Sequence, residues 1–92
     1  MTVSELGERA LLARIRARLP RPGTDVAVGV GDDAAVVTSA RNARVVLTTD
    51  AQIEGVHFDR AISSAADIGH KALAVNLSDL AAMGATPAWA LL

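Results

Sequence analysis

Apolar residues near the amino terminus recur at the spacing of an amphipathic helix. They are Leu11, Leu12, Ile15 and Leu19. Ser4 can cap this helix, and the prolines and glycine within residues 20–23 end it, so a first helix is predicted over residues 3–19. The arginines of this segment spread around the remaining surface and are interpreted as solvent-facing, with a phosphate or subunit contact as the alternative. They are Arg9, Arg14, Arg16 and Arg18.

Short β-branched runs replace this pattern after residue 25, separated by Gly, Asp, Ser and Asn. The runs predict four strands, at residues 26–30, 34–38, 45–49 and 53–58. Residues 39–44 form a polar segment typical of a hairpin turn, so the second and third strands are expected to be antiparallel.

The last predicted element is a long helix over residues 64–83, rich in Ala and Leu. It begins with a Ser-x-x-Asp capping pattern and ends at Gly84. Because the helix is apolar nearly all round, we expect most of its surface to be buried and its polar residues to need partners. These polar residues are Asn76, Ser78 and Asp79. The elements together predict an α+β fold in which a mixed or antiparallel sheet packs against helices.

Composition narrows the range of partners. At 92 residues the chain fits one small domain with a thin aliphatic core, since it has one Phe, one Trp and no Tyr. A net charge of −1 gives no basic field for nucleic acid or an anionic membrane, so neither is expected as a partner. The absence of cysteine excludes zinc-thiolate sites and cysteine nucleophiles. Neither a signal peptide nor a membrane span is predicted, and a cytoplasmic location is expected.

The first candidate for chemistry is the segment Gly31-Asp32-Asp33, where a predicted strand runs into glycine and two adjacent carboxylates. Glycine lets a backbone approach a phosphate closely, and carboxylates there would hold the metal that accompanies the phosphate. An ordinary turn with Asp at its favoured positions is the alternative.

Two further groups of oxygen ligands follow along the chain. Thr48, Thr49 and Asp50 emerge together at the end of a predicted strand and match the ligands that Mg²⁺ prefers, although an ordinary strand end can have the same residues. Asp79 lies in the mostly apolar helix, where a carboxylate is costly unless it is paired or metal-bound. Lys71, the only lysine, is two turns away and poorly placed to pair with Asp79, so a metal role is favoured.

The chain has two histidines, and their pattern alone carries little signal. His57 follows a glycine on a short apolar segment, where a lone histidine is more often a hydrogen-bonded structural residue than a ligand. His70 is interpreted as a surface residue.

Asp33, Asp50 and Asp79 are three separated acids at strand ends and in a helix. Together they suit a cradle of several magnesium ions for a polyphosphate, in which the metals neutralise the transferring group. The sequence contains neither a P-loop lysine motif nor a kinase-type Gly-rich loop, which disfavours both of those nucleotide-binding folds.

Three stretches of the sequence resemble the thiamine-monophosphate kinase family, within the superfamily of aminoimidazole ribonucleotide synthetase-like ATP-binding enzymes. The stretches are GVGDDAAVV, LTTDAQIEGVHF and HKALAVNLSDLAAMGATPAWALL. The threonine-aspartate strand end and the Asn-x-x-Asp helix are shared with selenophosphate synthetases and hydrogenase-maturation proteins, whereas GDDAA and EGVHF set the kinase family apart. The resemblance implies the amino-terminal domain of that fold and transfer of phosphate from ATP to thiamine monophosphate, giving thiamine diphosphate.

The resemblance also implies which residues form the site. The implied ligands of several magnesium ions are Asp33, Thr48, Thr49, Asp50 and Asp79, with Asp79 bridging more than one ion. Gly31, Asp32 and Asp33 are assigned to binding of the nucleotide, and His57 resembles the histidine that contacts the substrate. Gln52 departs from the apolar residue expected at its position.

The family's chains are longer than this one. Residues 1–92 are therefore expected to be the truncated amino-terminal part of the ATP- and magnesium-binding domain, inactive alone and without the carboxy-terminal domain. The apolar run at residues 90–92 looks like truncation inside a strand. Family members dimerise through their amino-terminal sheets, which implies a homodimer. Two alternatives stay open, another Mg-ATP enzyme of the superfamily and a non-catalytic binding module of the same fold.

Overall fold

A glycine divides the amino-terminal helical segment in two. In the computed structural model, which describes residues 1–92, α1 spans Val3–Leu6 and α2 spans Glu8–Arg18. Gly7 lies between them with φ 82° and ψ 158°, a backbone conformation outside the helical region. The prediction of one continuous helix over residues 3–19 is therefore wrong at Gly7.

The helix α1 begins after Thr2 rather than at the predicted cap, Ser4. The Thr2 hydroxyl accepts the Glu5 N–H at 3.2 Å, and the Glu5 carboxylate accepts the Thr2 N–H at 2.7 Å. This reciprocal capping box satisfies backbone donors that a helix start leaves unpaired. Both short helices belong to the first of two compact units of the chain, residues 1–43 and 44–92.

An antiparallel pair of short strands completes the regular structure of the first unit. The strand β1 (Val26–Val28) pairs with β2 (Val36–Val37), and the register sets Val26 opposite Val37. The hairpin therefore joins the first and second predicted strands rather than the second and third. Its connection, residues 29–35, is the segment that carries the two adjacent aspartates.

No strand forms at residues 45–49 or 53–58, so the predicted third and fourth strands are wrong. β-Branched residues favour a strand only where a neighbouring strand supplies hydrogen bonds, and residues 45–49 pair with no strand. Residues 53–58 close into turns instead, in which the His57 N–H donates to the Ile53 carbonyl at 2.9 Å. Residues 90–92 form no strand either.

The helix α3, Ala65–Ala82, confirms the predicted long helix of the second unit. Its capping box is the predicted one: the Ser64 hydroxyl accepts the Asp67 N–H at 3.1 Å, and the Asp67 carboxylate accepts the Ser64 N–H at 3.3 Å. The Gly84 φ of 68° is outside the range of a right-handed helix, so the helix ends where the sequence predicts.

Burial is incomplete along α3 and throughout the chain. The half-buried apolar residues of α3 are Ile68, Ala72, Ala74, Val75 and Leu80. Leu73 of α3 is 52% exposed and Leu77 is 38% exposed, and no residue of the chain is fully buried. The prediction that most of the surface of α3 is covered is therefore wrong for this chain.

The helices and the antiparallel pair confirm the predicted α+β class. None of the three helices has the length and apolar character that a membrane crossing requires.

Candidate functional site

The turn between β1 and β2 holds Gly31 in a conformation that favours glycine. Its φ is 115°, and a Cβ atom placed on it would lie 2.8 Å from Nη2 of Arg16. Asp32 accepts the Asp33 N–H on Oδ1 at 2.8 Å, which stabilises the turn. The Arg16 side chain of α2 therefore lies against Gly31 in the predicted nucleotide-binding turn. Its interpretation as a solvent-facing residue did not predict this contact.

A shallow depression of about 370 Å³ adjoins this turn. Its lining includes Arg16, Arg21, Gly29 and Val30. Arg16 and Arg21 thus line the same concave surface as Gly29 and Val30, which precede the predicted turn, and their positive charges would attract an anion there. A second depression, of about 280 Å³, lies against α1 and α2 and contains no predicted site residue.

In the second unit, Thr48 and Asp79 meet although 31 positions of sequence separate them. The Thr48 hydroxyl donates to Oδ2 of Asp79 at 3.5 Å, the long limit of a hydrogen bond. Both side chains are exposed, and Asp79 lies in the last turn of α3. The structure therefore brings together two residues that were predicted from separate sequence motifs.

The remaining predicted metal ligands are exposed. Thr49 and Asp50 follow Thr48 in a segment without regular structure, and Asp33 lies in the first unit. No three or more His, Asp or Glu side chains converge in the structure as a complete metal site requires. The pair of Thr48 and Asp79 is the part of the predicted cradle that the chain itself assembles.

Asn76 adds an oxygen atom that the sequence-based site did not include. It is half-buried on α3, its Nδ2 donates to the Ala72 carbonyl at 2.9 Å, and its Oδ1 is buried without a hydrogen-bond partner. An amide oxygen without a donor is destabilising unless a ligand or cation reaches it. The signal in the sequence was the Asn-x-x-Asp spacing, which places Asn76 and Asp79 near each other on one helix face.

Gln52 has the same feature, since its Oε1 is also buried without a partner while its Nε2 donates to the Ala51 carbonyl at 3.2 Å. This is the position at which the sequence departs from the expected apolar residue. The structure gives no reason for the polar side chain here.

His57 lies in the turn of residues 53–58 and uses one ring nitrogen within that turn. Its Nδ1 accepts the Ile53 N–H at 3.0 Å, and its backbone carbonyl accepts a hydrogen bond from the Lys71 ammonium. Because Nδ1 is an acceptor, the neutral ring carries its proton on Nε2. Nε2 makes no hydrogen bond to the protein, so His57 is anchored on one side and can donate to a ligand on the other.

Two charged groups of the second unit have hydrogen-bond partners close by in the sequence. Arg60 donates from Nε to Glu54 at 3.0 Å, and this hydrogen bond raises the pKa of the Arg60 guanidinium. At the start of α3, the side-chain hydrogen bond from Ser64 lowers the pKa of the Asp67 carboxyl. Neither group belongs to the predicted site, and His70 is exposed as predicted.

Comparison with known proteins identifies relatives of this chain. The family model described as AIR synthase related protein, N-terminal domain, matches residues 31–92. The thiamine-monophosphate kinase of Synechococcus elongatus is 47% identical over 87 residues, which are 95% of this chain and 25% of that protein. The thiamine-monophosphate kinase of Escherichia coli is 47% identical over 83 residues, 90% of this chain and 25% of that protein. That of Bacillus subtilis is 50% identical over 64 residues, 70% of this chain and 20% of that protein.

No solved structure matches the chain significantly. The sequence matches confirm the predicted resemblance to the thiamine-monophosphate kinase family and its superfamily fold. The matched region begins at Gly31 and contains Thr48, His57 and Asp79. The chain spans about a quarter of the length of the curated relatives it matches.

Proposed function

The chain belongs to the AIR synthase related protein family, and from this membership we propose that it is part of an enzyme that transfers phosphate from ATP to thiamine monophosphate. The proposal is supported by identity of 47% to proteins named thiamine-monophosphate kinase over at least 90% of the chain. In the structure, the proposal is supported by the hydrogen bond from Thr48 to Asp79. This contact joins two motifs that are expected to bind the metal of a metal-nucleotide complex.

The reaction is an in-line phosphoryl transfer. A phosphate oxygen of thiamine monophosphate attacks the γ-phosphorus of ATP. The new P–O bond forms as the bond to the β,γ-bridging oxygen breaks, and ADP leaves with that electron pair. The attacking oxygen is already ionised near neutral pH, so no strong general base is needed. The residues of the protein therefore act by binding, orienting and neutralising charge.

Magnesium fits the oxygen atoms that this site offers. Asp79, Thr48 and Asn76 supply carboxylate, hydroxyl and amide oxygens, which are ligand types that Mg²⁺ accepts. Thr49 and Asp50 are further proposed ligands of the second unit, and Asp33 is a proposed ligand of the first unit. When bound, several magnesium ions would neutralise the charge on the transferring phosphate.

Two further groups bind the co-substrates in this proposal. The backbone at Gly31 approaches the phosphates of ATP, and Asp32 and Asp33 would hold the magnesium that accompanies them. The positive charge of Arg16 lies beside this turn. His57 donates from Nε2 to an oxygen of thiamine monophosphate, which suits its free ring nitrogen. Residues 1–92 then form the amino-terminal part of an ATP- and magnesium-binding domain in a cytoplasmic homodimer. The mass of the full-length protein in solution tests whether it is a dimer.

Turnover of thiamine monophosphate tests the proposed activity. With Mg-ATP, the full-length protein should form thiamine diphosphate and ADP, and Asp79→Asn should lower kcat/KM roughly a hundredfold because one charge-stabilising ligand is lost. Asp59→Asn removes a carboxylate of the same unit outside the site and should leave turnover unchanged. ATP consumption without thiamine diphosphate would reject the thiamine assignment and favour another enzyme of the superfamily.

A further inference from the structure

A single lysine connects α3 to the turn that contains His57. The Lys71 ammonium donates to the backbone carbonyl of His57, which lies 14 positions earlier. Lys71 forms no ion pair with a carboxylate, and Asp79 instead contacts Thr48. The Lys71 ammonium thus has a backbone carbonyl as its partner rather than a carboxylate.

The turn of residues 53–58 is otherwise closed by its own hydrogen bonds. The His57 N–H donates to the Ile53 carbonyl at 2.9 Å, and the Ile53 N–H donates to the His57 Nδ1 at 3.0 Å. The Gly55 N–H donates to the Phe58 carbonyl at 2.8 Å. These bonds fix the shape of the turn and the tautomer of the ring, but none of them fixes the turn against the helix. The bond from Lys71 does so.

We propose that Lys71 is a positioning residue for His57: its ammonium holds the His57 carbonyl so that the ring presents Nε2–H to an anionic oxygen of the substrate. The ligand class is a phosphate monoester, since its oxygens accept hydrogen bonds strongly. This inference deepens the proposed function and rests on it for the identity of the substrate. The contact between Lys71 and the turn is independent of that identity.

The helix sets a fixed distance between the two ends of the proposed site. Lys71 and Asp79 are both on α3, eight positions apart, which corresponds to about 12 Å along the helix axis. Asp79 contacts the metal-binding segment at residue 48, and Lys71 contacts the substrate-binding turn. A rigid helix that carries both contacts aligns the two segments more reproducibly than two independent loops would.

Variants of Lys71 in the full-length protein test this role. Lys71→Met keeps the aliphatic stem and removes the ammonium, whereas Lys71→Arg keeps a donor of the same charge. We expect Lys71→Met to raise KM for thiamine monophosphate about three- to tenfold with kcat little changed, because one charge-assisted hydrogen bond to the turn is lost. Lys71→Arg should have a KM for thiamine monophosphate close to that of the wild-type protein. Arg44→Met, the matched control, removes the same charge from the same unit and should change neither constant.

The imidazole ¹⁵N resonances of His57 give a readout that needs no substrate. In the wild-type protein they should show one ring nitrogen as acceptor and the other protonated, and Lys71→Met should shift or average them while the far-ultraviolet circular dichroism stays the same. Unchanged His57 resonances together with an unchanged KM in Lys71→Met would overturn the positioning role. If the wild-type protein fails to bind thiamine monophosphate but the resonances shift, the positioning role is supported and the proposed substrate is rejected.

Discussion

At the scale of single residues, Gly31 is constrained both by its backbone and by a neighbour. Its φ is 115°, and the guanidinium of Arg16 occupies the space that a Cβ atom would need. The long Arg16 side chain can move aside, so the larger penalty of a side chain at this position comes from the backbone conformation. The glycine is therefore required by the geometry of the turn before any ligand is considered.

Gly31→Ala should destabilise the full-length protein by about 1–3 kcal/mol, the usual cost of an L-residue in a sparsely populated backbone conformation. Gly69→Ala is the matched control, because a Cβ atom there meets open space on α3 and Ala favours a helix by up to about 1 kcal/mol over Gly. Denaturant unfolding of both variants measures the difference. Equal stabilities of the two variants would show that the turn does not have the described conformation.

The chemistry of individual residues was more predictable than their partners. A carboxylate in a helix that is predicted to be buried would require a partner, so Asp79 could be selected from its sequence context, although its side chain is exposed in the structure. Thr48 could be selected from its own motif, but the contact between the two residues depends on the path of 31 intervening positions. The partner of Lys71 is a backbone carbonyl, which every residue type provides, and no sequence signal distinguishes the one at His57.

At the scale of elements, α3 depends on its amino-terminal cap. The Ser64 hydroxyl donates to the Asp67 carboxylate at 2.7 Å, and this bond is the main cause of the lowered pKa of Asp67. A carboxyl group whose pKa is lower in the folded state stabilises that state above its unfolded pKa. The stabilisation is lost as the pH falls through the folded pKa. The part of the cap that depends on the Asp67 charge therefore supports the helix at neutral pH and is weakened in acid.

Ser64→Ala should reduce the helical signal at neutral pH. The difference in helical signal between this variant and the wild-type protein should become smaller at pH values below the normal range of carboxyl pKa values. The reason is that protonated Asp67 no longer accepts the capping hydrogen bonds as an anion. Far-ultraviolet circular dichroism across a pH titration measures this. Ser78→Ala, a matched change inside α3, should not reduce helicity at any pH. A pH-independent effect of Ser64→Ala would argue against the role of the Asp67 charge.

Element prediction succeeded where the signal was local. The capping box and the terminating glycine of α3 lie within or next to the segment itself, and the helix lies within one residue of its predicted bounds at each end. Gly7 interrupts the first predicted helix because its φ of 82° is incompatible with a helix, and the apolar positions that predicted the helix all follow it. Residues 45–49 have strand propensity but no pairing partner in the chain, and this depends on sequence far from the segment.

At the scale of the whole molecule, the chain has apolar surface on most of its elements. Leu73 and Leu77 of α3 are exposed, as are Val36 and Val37 of β2 and Ile15 of α2. Exposed apolar surface of this kind is common where one protein segment contacts another. The curated relatives are about four times as long as the region they share with this chain, so the proposed activity belongs to the full-length protein.

Calorimetric titration with thiamine monophosphate, in the presence of magnesium and a non-hydrolysable ATP analogue, tests the central proposal most directly. We expect the full-length protein to bind saturably, Asp79→Asn to lose binding, His57→Ala to weaken it about tenfold, and Asp59→Asn to bind like the wild-type protein. Nucleotide binding without thiamine monophosphate binding would contradict the proposed substrate. Binding that is indifferent to both Asp79→Asn and His57→Ala would contradict the proposed site.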